Sequence, residues 1–453
     1  MATETETRPW ERLREFANGE DTVGLKEFLS SLEPTEAVRA ILRLDTDSQE
    51  KVLTTLSPAE AADLIEDLPD EQAVEIIENL EPADAASIVT EMQSDEQADL
   101  LADMESDDAE AILREMPVED ATEVRQLASY DDNVAGGLMM TEFFKYEENA
   151  TAGDVLDDLN ARADNIDDYF THYAYVISSW GKLVGVLEVR DLALTPRRTP
   201  LAEIMAPAIF VKAETGLDEL KGFIDRNFYA AIPVVNRRGS LLGVVRRTAV
   251  QEALAERADR EMLRMQGIVG GDEIRTLPTL TRSRRRLSWL SVNIVLNIAA
   301  ASVIALYIDT LEAVIALAVF LPIISDMSGC TGNQAVAVSM RELSLGIVKP
   351  FEVLRVWLKE ISVGLINGVA LGAVLGGVAW AWKGNPYLGL VVGGALALNT
   401  LIAVSIGGVV PLMLKRAGVD PALASGPILT TVTDIFGFFL VLSFAALMLP
   451  KLT

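Results

Sequence analysis

Five apolar stretches crowd the last part of the chain: about Leu287–Ile308, Ala313–Met340, Val356–Trp382, Leu388–Leu414 and Pro427–Leu449. Each is long enough for the roughly 20 residues a helix needs to cross a hydrocarbon core. In lipid every backbone polar group must be satisfied internally, which leaves helices or a closed barrel as the spanning forms. So many runs in so short a length argue against buried helices of a soluble core. They predict an all-α membrane domain of five transmembrane helices.

The flanking charges set an orientation. With the long N-terminal part in the cytoplasm, Arg282, Arg284, Arg285, Arg286, Arg341, Lys349, Arg355, Lys359, Lys415 and Arg416 all fall on the cytoplasmic side. Lys383 and Lys451 fall outside. That bias predicts a multi-pass protein of the cell (inner) membrane, with a cytoplasmic N-terminus and a C-terminus outside. No charged leader followed by an apolar run opens the chain, so no signal peptide is expected.

The net charge of -29 is unevenly placed. Residues 1–135 hold 37 acidic and 9 basic residues, whereas residues 281–453 hold 8 and 12. A salt-adapted surface would be acidic throughout; a localised negative field gathers cations or a basic partner. A nucleic-acid partner is not expected. Cys330 is the single cysteine and His172 the single histidine, which excludes an intrachain disulfide and argues against a histidine-based site.

The acidic segment repeats every 12 residues. Leu32, Leu44, Leu56, Leu68, Leu80, Met92, Met104 and Met116 mark the registers, each followed by turn formers such as Ser57-Pro58 or Glu81-Pro82. Apolar pairs return eight and nine residues later, as in Leu64-Ile65, Ile76-Ile77 and Ile88-Val89. Each unit reads as a turn, a cap and two helical turns that cannot bury its stripe alone, so the units must stack as an α-solenoid.

A degenerate tandem follows. Tyr173–Ile177 and Gly181–Leu187 are answered by Ala231–Val235 and Gly239–Val245. Each half reads helix, strand, glycine turn, strand, helix, and the two together resemble a tandem CBS pair, an α/β regulatory module. The domain boundaries are thus 1–135 for the acidic helical-repeat N-domain, 136–246 for the CBS pair, 247–281 for a connecting helix and linker, and 282–453 for the transmembrane domain.

Two spans carry the chemistry. Asp434 lies mid-way along the fifth span, with no Lys or Arg inside that span. A carboxylate at bilayer depth is costly and is a functional-site hypothesis by default. The second span holds Ser325-Asp326-Met327-Ser328-Gly329-Cys330-Thr331-Gly332-Asn333-Gln334. Its small residues suit close helix packing or local unwinding, and Asp326 with Asn333 points to a pore-lining role.

With Thr331-Gly332-Asn333-Gln334 in the second span, and Asp420-Pro421-Ala422-Leu423, Pro427 and Asp434 near the fifth, the chain resembles the MgtE family of magnesium channels along nearly its whole length. The resemblance implies a homodimer with one pore on the twofold axis. It also implies a plug helix within 247–281 that closes the cytoplasmic mouth when internal magnesium is high. Mg2+ is then the transported ion and a regulatory ligand, with Mn2+ and Co2+ as further candidates. The metal site it implies is Asp434 with Asn333 and Thr430; Asp326 stands where the family has glycine and adds a carboxylate. Magnesium prefers octahedral oxygen coordination and gives up water reluctantly, so a facing carboxylate pair suits a hydrated ion.

The same resemblance implies a depleted sensor. Gly216, Phe228, Ala249, Arg257 and Arg260 stand where the family has acids, while Asp218, Glu252 and Glu261 remain. Arginine supplies no lone pair to a metal. Arg246, Arg247, Arg257, Arg260 and Arg264 are therefore expected to face the acidic head as a latch, with Arg257, Arg260 and Arg264 on the plug at its centre. Glu188, Arg246 and Ala249 replace the usual nucleotide-loop residues, though Asp191 remains, so nucleotide binding at the CBS pair is disfavoured. No nucleophile–base pair or phosphate loop is present, and the chain reads as a non-enzyme. The rival readings are a secondary transporter coupling divalent cations to H+ or Na+ through Asp326 and Asp434, and a membrane-tethered sensor.

Overall fold

The computed structural model describes residues 8–19, 22–162, 170–227, 229–268 and 278–453. They form two compact units, Met1–Arg257 and Ala258–Thr453.

The first unit begins with ten short helices: α1 (Pro9–Gly19), α2 (Thr22–Ser30), α3 (Pro34–Ile41), α4 (Thr46–Thr55), α5 (Pro58–Glu66), α6 (Asp70–Glu78), α7 (Pro82–Glu91), α8 (Ser94–Asp103), α9 (Ser106–Glu115) and α10 (Val118–Leu127). The 12-residue period dictates this. Each register residue lies one to three positions past the end of one helix, just before the start of the next. Before α5 the Ser57 hydroxyl accepts from the Glu60 amide while the Glu60 carboxylate accepts from the Ser57 amide, satisfying two orphan donors at once. Asp45 caps α4 by accepting from the Ser48 amide at 3.0 Å. Leu44 through Met116 of the register series are buried, as are the pairs from Leu64-Ile65 to Ile112-Leu113. Helices touch the next but one: α5 with α7, α7 with α9, α6 with α8 and α8 with α10. The stack is therefore two-layered, with one continuous apolar core.

The CBS region contains β1 (Met139–Met140), β2 (Phe143–Glu147), α11 (Ala152–Ala161), β3 (Phe170–Ile177), β4 (Leu183–Glu188), α12 (Val189–Leu192), α13 (Leu201–Ile204), β5 (Ala206–Pro207), β6 (Val211–Lys212), α14 (Leu217–Arg226), β7 (Ala231–Val235) and β8 (Leu241–Arg246). The repeated hairpins are β3–β4 and β7–β8, turned at Gly181 (φ 72°) and Gly239 (φ 84°), where a side chain would be strained. Two sheets result, ordered β2-β3-β4-β5 and β1-β8-β7-β6. The short strand β1 precedes the first sheet in the chain yet pairs with β8 of the second. Met140, Phe143, Tyr175, Ala231 and Val244 form a buried cluster drawn from both sheets. Helix α15 (Arg247–Met265) leads out of β8.

The membrane part comprises α16 (Thr279–Leu306), α17 (Ile308–Ala313), α18 (Leu317–Ser344), α19 (Val353–Lys383), α20 (Pro386–Arg416), α21 (Pro421–Leu447) and α22 (Leu449–Leu452). Among the described residues four helices are long and apolar enough to cross a membrane: α16, α19, α20 and α21. The second expected span is α18, also 28 residues long, whose polar middle dilutes its apolar character. It is one continuous helix rather than an unwound segment. Gly332 lets it approach α20 and α21, because a Cβ there would lie 2.8 Å from Leu429 and 3.1 Å from the Ala403 carbonyl. The fifth expected span starts earlier than Pro427, since Asp420 caps α21 by accepting from the Ala422 amide at 2.9 Å. Helix α20 is the central one, packed on α18, α19 and α21.

Candidate cation site

Asp434 lies on α21, only 8% exposed, and its Oδ1 accepts a short hydrogen bond from the Ser325 hydroxyl of α18. Asp326 follows Ser325 directly. Asp326, Cys330 and Asn333, spaced i, i+4 and i+7, are all exposed along one face of α18. On α21, Thr430 lies one turn before Asp434, is exposed, and donates to the Gly426 carbonyl at 3.0 Å. A single chain thus displays a polar stripe on two adjoining helices, with one carboxylate open and one tucked behind a hydroxyl. No three acid, histidine or cysteine side chains converge to hold a metal among the described residues. Carboxylates so sparse suit an ion that keeps much of its water.

Sequence reasoning missed Ser325 as the donor to Asp434. It also missed Asn399, fully buried on α20, whose amide donates to the Thr433 carbonyl at 2.9 Å. The signal was present: Asn399 is the one amide side chain in the middle of that span.

The end of α15 rests on the same two helices. Arg264 pairs with Asp420 at 3.1 Å, and Glu261 accepts from the Ser344 hydroxyl at 3.2 Å. Met265 packs against Val336, Met340, Ala422 and Leu429. The acids expected as a residual sensor do not gather. Asp218 pairs with Arg257 at 2.7 Å, Glu261 is engaged as above, and Glu252 is exposed on α15. Phe228 lies outside the described residues.

The arginines correct the expectation of a common target. Arg246 does meet the head, at 2.9 Å from Asp95. Arg257 and Arg264 pair instead with Asp218 and Asp420, and Arg247 donates to the carbonyls of Tyr229 and Asn227. Arg260 shares α15 with them. The reason is reach: α15 leaves the second sheet at Arg246, so Arg257 meets the acid of α14 first. Around Arg246, Glu66 accepts from the Gln93 amide at 2.8 Å and Glu142 from the Ser94 amide at 3.1 Å. Burial raises both carboxyls above their ordinary range.

In the CBS pair a cleft of about 160 Å³ is lined by Tyr173, Tyr229, Pro233, Glu188 and Asp191, among others. Arg190 lies 2.6 Å from Glu188.

Family models match three segments: the intracellular N domain of MgtE at residues 24–133, a CBS domain at 201–256, and the MgtE divalent cation transporter at 321–444. The magnesium transporter MgtE of Thermus thermophilus is 34% identical over 336 residues, covering 72% of each chain. That of Bacillus subtilis is 29% identical, covering 74% of this chain and 73% of its own. A crystal structure of the soluble part of a magnesium transporter superposes with a TM-score of 0.50 at 26% identity, over 55% of this chain and 98% of the other. A cytosolic domain of the Mg2+ channel MgtE in complex with ATP reaches 0.48 at 31% identity, over 53% and 98%. Domain order, membrane helices and sequence together place this chain in the MgtE family of magnesium transporters, which are transport proteins and not enzymes.

Proposed function

We propose that the protein is a homodimeric channel that lets hydrated Mg2+ enter the cell, gated by its cytoplasmic head, CBS pair and plug helix. The observation that carries this is the uncovered polar stripe of Asp326, Cys330, Asn333 and Thr430 beside Asp434. Lipid is a poor neighbour for an exposed carboxylate and amide. A second copy related by a twofold axis would cover that stripe with its own and enclose a wet path. Each carboxylate then meets its mate, and an ion held through water is attracted without losing its full hydration shell. Weak, multiple sites also let the ion leave, which conduction requires.

The plug reading rests on the seat of α15. Arg264, Glu261 and Met265 touch the inner ends of α18 and α21, the helices that carry the stripe. A shift of α15 therefore acts on both walls of the path. With Asp218 neutralised by Arg257, the magnesium sensor is altered, and ion pairs take over part of the bridging that metal would do. The cytoplasmic placement of the head follows the distribution of Lys and Arg.

The test is flux into liposomes containing the purified protein, with Mg2+ varied separately on the two sides. Selective uptake that disappears in Asp434→Ala, with the dimer intact, is the expected result. A reversal potential that follows the H+ or Na+ gradient would favour the coupled transporter working through Asp326 and Asp434. Absence of flux in the wild type would favour the tethered sensor.

A further inference from the structure

We propose that Asn399 is a positioning residue for the pore carboxylate: from α20 it fixes the turn of α21 that presents Asp434, while Ser325 of α18 holds the carboxylate itself. This inference rests on the pore reading above.

Three observations converge. Asn399 is fully buried on α20, and its side-chain amide donates to the carbonyl of Thr433, the residue immediately before Asp434, at 2.9 Å. In an α-helix that same carbonyl already serves the amide four residues on, that of Gly437. The bond from Asn399 is thus an additional tether on the peptide that orients Asp434. Gly437 makes room for it, since a Cβ at Gly437 would lie 2.7 Å from the Asn399 nitrogen.

The third observation concerns cost. The Asn399 Oδ1 has no hydrogen-bond partner among the described residues. A half-satisfied amide in a membrane interior is a poor way to stabilise a helix bundle, where leucine would pack without that penalty. The amide makes sense as a position-fixing group. Ser325 from α18 restrains the carboxylate itself, and Asn399 from α20 restrains the backbone beneath it.

The experiment compares wild type, Asn399→Leu, Gly437→Ala and Asp434→Ala as full-length protein in liposomes. Initial Mg2+ uptake is measured against Mg2+ concentration, and dimer content and unfolding midpoint are recorded for each. Asn399→Leu is expected to raise the half-saturating Mg2+ concentration by roughly three- to tenfold, the range open to one interhelical hydrogen bond in a membrane. Gly437→Ala should do the same with Asn399 still present, because the added methyl displaces the amide. Asn399→Leu should keep the wild-type unfolding midpoint, which separates positioning from a general loss of packing, whereas Gly437→Ala, which leaves the displaced amide unpaired, is read by half-saturation in its dimeric fraction. If Asn399→Leu fails to assemble, Gly437→Ala decides by the same criterion. An unchanged half-saturation in a folded variant, while Asp434→Ala abolishes uptake, overturns the positioning role alone. An Asp434→Ala protein that still transports like wild type overturns the pore reading, and this inference with it.

Discussion

At the scale of single residues, the two carboxylates on α18 and α21 differ in setting. Asp434 is tucked under Ser325 and Asp326 stands open. Asp326→Gly should leave a conducting protein that holds ions less tightly and passes them faster, because binding that is too strong slows release. Single-channel amplitude against Mg2+ concentration would show this; a smaller amplitude at every concentration would refute it. Another residue-level effect belongs to the head. Ser57→Ala removes the cap shared with Glu60 and should lower the stability of the acidic stack by about 1 kcal/mol, read by denaturant unfolding. Asp434 and Asp326 could be recognised in the sequence because charge is rare in an apolar run. Ser325 and Asn399 could not be assigned partners, since a hydroxyl or amide in a membrane helix has many local alternatives and only packing selects one.

At the scale of elements, α15 and α8 are the two joints where charge governs contact. Arg264 and Asp420 are both about half exposed, and such pairs contribute only about 0–1 kcal/mol and weaken in salt. Arg264→Ala should therefore raise the open fraction of the channel modestly, and the difference from wild type should shrink at high ionic strength. Magnesium dependence of open fraction, measured at matched ionic strength, checks this. A variant gate identical to wild type at low salt would count against the contact.

The joint at α8 responds to protons. Burial raises the carboxyls of Glu66 and Glu142, so the folded form keeps protons that the unfolded chain releases. Stability from these groups is complete below their unfolded values and is lost as pH climbs through the raised ones. Glu60 behaves oppositely: hydrogen bonds from Lys26 and Ser57 hold it down at about 2, so its effect fades only in acid. Above the ordinary carboxylate range the raised pair dominates, and the unfolding transition of the head and CBS pair should move to lower temperature as pH rises. Glu142→Gln should flatten that dependence.

The sequence conveyed these elements unequally. The α3–α10 stack was legible because a strict period leaves one way to bury its stripe. The hairpins β3–β4 and β7–β8 were legible from their repeat and glycine turns. The exchange of β1 into the second sheet was not, because two residues carry no pattern. The partners of the arginines were not legible either, since a long flexible side chain pairs with whatever acid the fold brings within reach.

At the scale of the whole molecule, soluble and membrane parts solve different burial problems. The head and CBS pair hide alternate faces from water. The membrane helices hide polarity from lipid and leave α16 almost bare, with Ala300 as its buried residue. The two-layered head has one more consequence. Because each helix of the stack touches its next-but-one neighbour, the stack has parity. Removing one 12-residue unit, such as residues 81–92, would transfer every later helix to the opposite layer and turn the joint at Asp95 and Arg246 away from its mate. Removing two consecutive units restores the alternation and only shortens the stack. A single-unit deletion should thus be more damaging than a double one, an inversion of the usual rule that a larger excision does greater harm. Protease resistance of the two deletion proteins would reveal which holds.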